Sequence, residues 1–255
     1  MNTLLLVGGD LCMRTAALLD PGHWKFIGLR RRPMTQGSDD RIVWHRANAE
    51  TYPFGLARVL SSLPRRSLDR LQRCVLVGSS AVWGPSDDWV DEDTPVQNTN
   101  FRATSLLDAE AAMGARIKPG TGCTLRLSGL YGPGRLRLID GLAHGTVTAP
   151  EGPGHWANRL HIDDAARACA HLLTLPDPAP VYIGTDAHPR PTAELYDALA
   201  DLAGVARPVR QARPPSGKRL SNARLRASGW TPEWPDAVAG YTACLAAPTS
   251  GHQPS

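Results

Sequence analysis

Lysine is scarce in this chain: of 28 basic residues only Lys25, Lys118 and Lys218 are lysines. Aromatic residues make up 6%, and no tyrosine falls between Tyr52 and Tyr131. No apolar run comes near the roughly 20 residues that cross a bilayer, so no membrane partner is expected. The five cysteines, at 12, 74, 123, 169 and 244, form no CxxC pair and have no Cys/His metal spacing. They read as small buried hydrophobes in a reducing cytoplasm, with no metal bound. The opening Met1-Asn2-Thr3-Leu4 lacks a charged n-region, so no export signal is expected. Arg30-Arg31-Arg32 and Arg65-Arg66 have no interleaved aromatics and the net charge is a modest +4. Nothing there supports a nucleic-acid partner, and no repeat or heptad is visible.

What is present points to one α/β domain, a size that 255 residues at 42% hydrophobic suit. The centre of the pattern is Val75-Leu76-Val77-Gly78-Ser79-Ser80-Ala81-Val82-Trp83-Gly84. A near-continuous apolar run is how a buried parallel strand reads. Where such a strand stops, side chains face the crevice in which α/β proteins bind ligands, and Ser79 and Ser80 stand at that rim. Closure of the strand by the two hydroxyls alone is the plainer alternative.

Three further strands precede it: Thr3 to Val7, Trp24 to Leu29 and Arg41 to His45. Gly8-Gly9-Asp10-Leu11-Cys12 reads as a tight turn, with a helix from Met13 to Leu19. A turn of this kind lets backbone amides approach a dinucleotide pyrophosphate at a helix N-terminus. The second strand ends in Arg30 and Arg31 without a carboxylate, which suits the 2′-phosphate of NADP better than the ribose of NAD. Between the third strand and Val75 only helical patterns occur, Tyr52 to Leu63 and Ser67 to Gln72. One sheet strand is therefore expected to be missing, with the Val75 strand paired directly with the first.

Downstream, the spacing predicts a surface loop over 85–100 and a helix from Thr104 to Ile117. A strand from Cys123 to Leu127, a short helix from Leu136 to Ala143 and a loop-like stretch from Thr146 to Ala157 follow. A helix capped by Asp163 or Asp164 runs to about Leu173, and Val181 to Gly184 is the last main strand. Thr192 to Ala203, Ser221 to Ala227 and Pro235 to Ala246 are helical, and a disordered tail is expected over 248–255.

Five stretches then line up in order. They are Gly78-Ser79-Ser80-Ala81-Val82-Trp83-Gly84, Val90-Asp91-Glu92-Asp93-Thr94-Pro95, Leu125 to Arg135, Asn158 to Asp164, and Lys218 to Leu225 with Gly229-Trp230. Together they resemble the extended, atypical short-chain dehydrogenases/reductases of the NAD-dependent epimerase/dehydratase type. The resemblance implies a Rossmann-like doubly wound parallel sheet with a small C-terminal lobe. It also implies a reactive centre of Ser, Tyr and Lys, in which the Tyr moves a proton and the Lys lowers its pKa. Ser79 takes the Ser position. Arg102 and Leu106 stand where the Tyr and Lys belong, so both catalytic types are absent. Tyr131 is the substitute acid to consider, against an aromatic that packs a Gly/Pro turn. His161, just ahead of a helix, reads as a structural hydrogen-bonding group.

The resulting expectation is a single domain over 1–247. Its dinucleotide core lies mainly in 1–130 and 160–185, and its substrate lobe in 130–160 and 185–245. NADP, less so NAD, would be held by Gly8, Gly9, Leu11, Arg30, Arg31, Ser79, Gly129 and Leu130. A small or nucleotide-linked substrate would meet Ser79 and Tyr131 as catalytic groups and Ser80, Arg102, Asn158 and Arg159 as binding groups. A homodimer stays open, as do two other readings: a non-catalytic cofactor sensor and a degenerate scaffold.

Overall fold

The β-branched, apolar runs pair as parallel strands. In the computed structural model, residues 2–7, 9–20, 24–30, 42–46, 56–57, 60–61, 64–97 and 100–246 are described. Gly8, Arg31 and the 248–255 tail lie outside them.

Strands β1 (Asn2–Val7), β2 (Trp24–Arg30) and β3 (Ile42–Arg46) form one parallel ladder in the order β1-β2-β3. A second ladder joins β4 (Cys74–Ser79), β6 (Gly122–Leu127) and β11 (Val181–Gly184), with β6 in the middle. The short β5 (Trp89–Val90) lies between β4 and β6 in the chain. Registers bring Ser79, Leu127 and Gly184 level with one another, so this ladder ends on one rim. Strand β1 comes within 8 Å of β4, but no backbone hydrogen bonds join the two ladders. The expected neighbour relation is therefore present, and the expected direct pairing is not. Among the described residues no strand lies between β3 and β4.

Helices cover both faces, as a doubly wound sheet requires. On one face, α1 (Gly9–Ala17) packs on a helix from Ile162 to Thr174, and Cys123, Leu125, Leu127, Ala165, Cys169 and Leu172 fill the layer beneath. On the other, α2 (Arg65–Asp69) and α3 (Phe101–Arg116) bury Leu68 and Met113 against Cys74 and Leu76. Each fully buried Leu here contributes roughly 1.5–3 kcal/mol relative to exposure.

After β7 (Gly129–Tyr131) the chain builds a separate apolar cluster. Helix α4 (Arg137–Ala143) and the short strands β8 (Ala149–Pro150), β9 (Trp156–Ala157) and β10 (Arg159–His161) come first. Next are α5, the helix from Ile162 to Thr174, β12 (Arg190–Pro191) and α6 (Thr192–Ala203). Last are β13 (Arg210–Gln211), β14 (Arg219–Leu220), α7 (Ala223–Ala227) and α8 (Ala237–Ala246). Tyr131, Ile139, Leu142, Leu195, Leu199, Ala237 and Tyr241 form the cluster. The stretch 146–157 was expected to be loop and carries β8 and β9 instead. No described helix is long and apolar enough to cross a membrane.

Several helix starts differ from expectation, α3 by three residues, and two of them have a plain local cause. Helix α1 begins at Gly9 rather than Met13, because Asp10 suits a first turn and Thr15 Oγ1 folds back on the Leu11 carbonyl at 2.8 Å. Helix α5 is capped by His161, whose Nδ1 accepts from Asp163 N at 3.3 Å. Asp164 instead accepts from the Glu233 and Trp234 amides at 2.8 and 2.9 Å, which ties α5 to the C-terminal segment.

Candidate functional site

Strand β1 runs almost directly into α1, so the amides of Gly9, Asp10 and Leu11 belong to the first helical turn, where no intrahelical acceptor exists for them. A helix start behind a parallel strand is a ready anion site. Asp10 places a carboxylate there, and two arginines offset it. Arg14 Nε donates to Asp10 Oδ1 at 2.9 Å and Arg135 Nε to Oδ2 at 3.1 Å. Arg14 also pairs with Asp163 of α5. Thus the Gly/Pro loop after β7 delivers a cation, Arg135, to the N-terminus of α1. Leu11 turns its side chain onto the Leu125 and Leu160 cluster. Strand β2 ends at Arg30, described here by its backbone course.

The β4 rim is built as a small clamp. Ser79 closes the strand, and its Oγ accepts from the Ala81 amide at 3.2 Å at the start of a single 3-10 turn, Ser80–Val82. The Ser79 hydroxyl proton stays available to a bound oxygen. Both serines are half-buried. Lys218, 8% exposed, reaches in from the segment before β14. Its Nζ donates to Ser80 O at 2.9 Å and also to Trp83 O. With backbone carbonyls as its partners, the buried ammonium has its pKa pulled down to about 8 by desolvation. Asn158 completes the clamp: its Nδ2 donates to Lys218 O at 2.6 Å and its Oδ1 accepts from Leu220 N at 2.9 Å. The Asn158 amide, expected to face substrate, is spent on holding the 218–220 segment.

Next to Ser79 the sheet carries a buried ion pair. Arg126 Nε and Nη2 donate to Glu110 Oε1 and Oε2 at 3.0 and 2.7 Å, with the guanidinium 4.7 Å from the Trp83 ring centroid. A Cβ at Gly78 would crowd Thr124 Cγ2 at 3.2 Å and come into ordinary contact with the Glu110 and Arg126 side chains. Leu106 packs with Val82, Trp83, Val90, Ile183 and Leu220, while Arg102 is exposed on the first turn of α3. The helix therefore presents apolar surface where the resemblance implies Lys. Ser128 follows β6, is 9% exposed, and its Oγ has no hydrogen-bond partner among the described residues.

Tyr131 needs correcting as the substitute acid. It is fully buried, stacked on Tyr241 at 4.2 Å between centroids, and its hydroxyl faces Gly240 of α8, where any Cβ would overlap it. Burial pushes its pKa up, and the hydroxyl has no partner among the described residues. It packs the C-terminal cluster. Gly129 is likewise covered: the Arg159 guanidinium occupies the space its side chain would fill. Leu130 is half-buried against the β6 and α5 cluster. The sequence reading missed Lys218 and Ser128. Their signals were faint, a single Lys near the C-terminus and a Ser before a Gly turn.

No family model and no curated protein matches the chain. Solved structures do. A protein from Methylobacillus flagellatus described as an NAD-dependent epimerase/dehydratase is 33% identical, with 96% of this chain and 97% of that one covered and a TM-score of 0.72. A conserved protein of unknown function from Silicibacter pomeroyi is 25% identical, covering 96% and 99%, with a TM-score of 0.79. The human epimerase family protein SDR39U1, solved with NADPH, shares the fold at 18% identity, 95% and 98% coverage and a TM-score of 0.74.

Proposed function

This chain belongs to the NAD-dependent epimerase/dehydratase family of extended short-chain dehydrogenases/reductases, and from that membership we propose that it binds a nicotinamide dinucleotide, NADP in preference to NAD. The observation that carries the reading is the start of α1 at Gly9, directly behind β1, a strand that comes within 8 Å of β4. The residues fit the group. First-turn amides, with Arg135 beside them, suit a pyrophosphate, Arg30 suits a 2′-phosphate, and the unpartnered Ser128 hydroxyl suits a polar contact.

Bound there, the dinucleotide would give or take a hydride. The chain's own part is to bind and orient. Ser79 donates its hydroxyl proton to a substrate oxygen, and Lys218 and Asn158 keep the turn beneath it in place. Arg159 offers charge to the substrate from the lobe. A panel of small and nucleotide-linked carbonyl compounds, followed by NADPH oxidation, tests this. Turnover should fall by two orders of magnitude or more in Ser79→Ala, as loss of a polarising donor does; turnover untouched by that change contradicts the assignment.

A second reading has its own support. Leu106 sits in an apolar cluster, Arg102 is exposed and Tyr131 is sealed. These leave no obvious proton donor and favour a binder that senses cofactor state. NADPH binding with no turnover on any carbonyl would select it.

A further inference from the structure

Among the described side chains most arginines are paired and those without a partner are exposed, except Arg159, which is half-buried. Among the described residues its guanidinium has no hydrogen bond and no ion pair, and its Nε is buried without a partner. Arg159 and Tyr131 share one face of the β7/β10 pair, where Arg159 aligns with Gly129 and His161 with Tyr131. Next to them lies Asp186, 2% exposed, its amide donating to Arg159 O at 2.7 Å. Asp186 Oδ1 is also unpartnered, as are Arg190 Nε and the Tyr131 hydroxyl. Buried polar groups are ordinarily satisfied. The Tyr131 hydroxyl is sealed against Gly240, but the three orphans on Arg159, Asp186 and Arg190 lie together and mark a site that awaits something.

The charges around Asp186 explain why it does not simply close on Arg159. Facing it are Arg159 from β10, Arg190 from β12, Asp236 ahead of α8 and Tyr131 from β7. Arg190 is taken by Asp236, which also accepts from the Val238 amide at 2.7 Å as a helix cap. Of two carboxyls near two arginines, Asp236 holds a guanidinium and a helix cap, whereas Asp186 has the Arg159 backbone amide beside it and no ion pair. An isolated buried carboxylate costs several kcal/mol, so the group keeps its proton instead.

Resting on the substrate role given to Arg159 above, we propose that Asp186 decides whether the lobe accepts an anion: its carboxylic acid form leaves Arg159 free for a carboxylate or phosphoryl oxygen of the substrate, and its carboxylate form claims that guanidinium. Burial, with repulsion from Asp236, pushes the carboxyl up to about 8, so the accepting form prevails at neutral pH.

Sulfate tests this, because its charge is constant between pH 6 and 10. Calorimetric titration at fixed ionic strength, with NADPH at saturating concentration to fill the dinucleotide crevice, gives the affinity at each pH. For wild type the Kd should rise tenfold or more from pH 6.5 to pH 9.5, as the accepting fraction drops. Asp186→Asn should bind at pH 9.5 as wild type does at pH 6.5, and Arg159→Ala should lose binding at both. An identical pH profile in Asp186→Asn, a flat wild-type profile, or sulfate binding untouched by Arg159→Ala overturns the proposal. Failure of NADPH itself to bind would count against the dinucleotide reading, and the sulfate profiles of the two variants would still decide this one. Thermal melts give a readout that needs no ligand. A folded pKa above the unfolded value near 4 means that stability falls as pH rises from about 4 to about 8. That slope should be shallower in Asp186→Asn, and an unchanged slope would contradict the assigned state of the carboxyl.

Discussion

Tyr131 shows how far one residue's chemistry depends on what covers it. Its sequence position, in a Gly/Pro loop after a sheet strand, suits either an acid or a packing aromatic. The choice is made by Gly240 and Tyr241, a hundred residues away in α8 and invisible from the local pattern. A hydroxyl buried without a partner destabilises by about 1–3 kcal/mol. Tyr131→Phe should therefore melt at the same temperature as wild type or higher, with any activity retained. A large drop in activity without loss of stability would restore the tyrosine as an acid. Lys218 makes the converse point. A lone lysine in a chain of arginines carries little signal until the fold lays it against Ser80 and Trp83. Its short, single-point ammonium fits two converging carbonyls, a task for which a guanidinium fork is the wrong shape.

At the scale of elements, much was legible because burial on both faces forces near-continuous apolar runs. Val181–Gly184 and Thr192–Ala203 were read to the residue, and β4 and β6 to within one. The misses fall at starts and short pieces. Helix α1 begins four residues early since glycine does not bar a first helical turn, and β8 and β9 are two-residue strands set by partners far along the chain. Which helix faces which strand was not legible, and the Glu110–Arg126 pair follows from it. Both side chains are nearly buried, at 13% and 7% exposure. Removing one partner leaves a buried charge unpaired, so Glu110→Ala should cost roughly 3–5 kcal/mol in denaturant unfolding. A cost below about 1 kcal/mol would mean that α3 is not anchored to β6 through this pair. The same experiment reports on Ser79, one residue from Gly78, over which the pair lies.

For the whole molecule, the seam between the two ladders is the feature with most consequence. The sheet is two three-stranded ladders that meet at β1 and β4 without hydrogen bonds, and α1 starts directly behind β1 at that seam. Family membership was legible from five ordered stretches, while the absence of Tyr and Lys from α3 was legible from two positions, 102 and 106. Neither tells whether the seam still holds a dinucleotide, and on that the functional account stands. The direct measurement is thermal unfolding of the wild-type protein titrated with NADPH and with NADH. At 100 times its Kd a ligand specific for the folded state adds about 2.7 kcal/mol. The account predicts a saturable upward shift of the melting temperature that is reached at lower NADPH than NADH concentration. No shift with either nucleotide at millimolar concentration would contradict it.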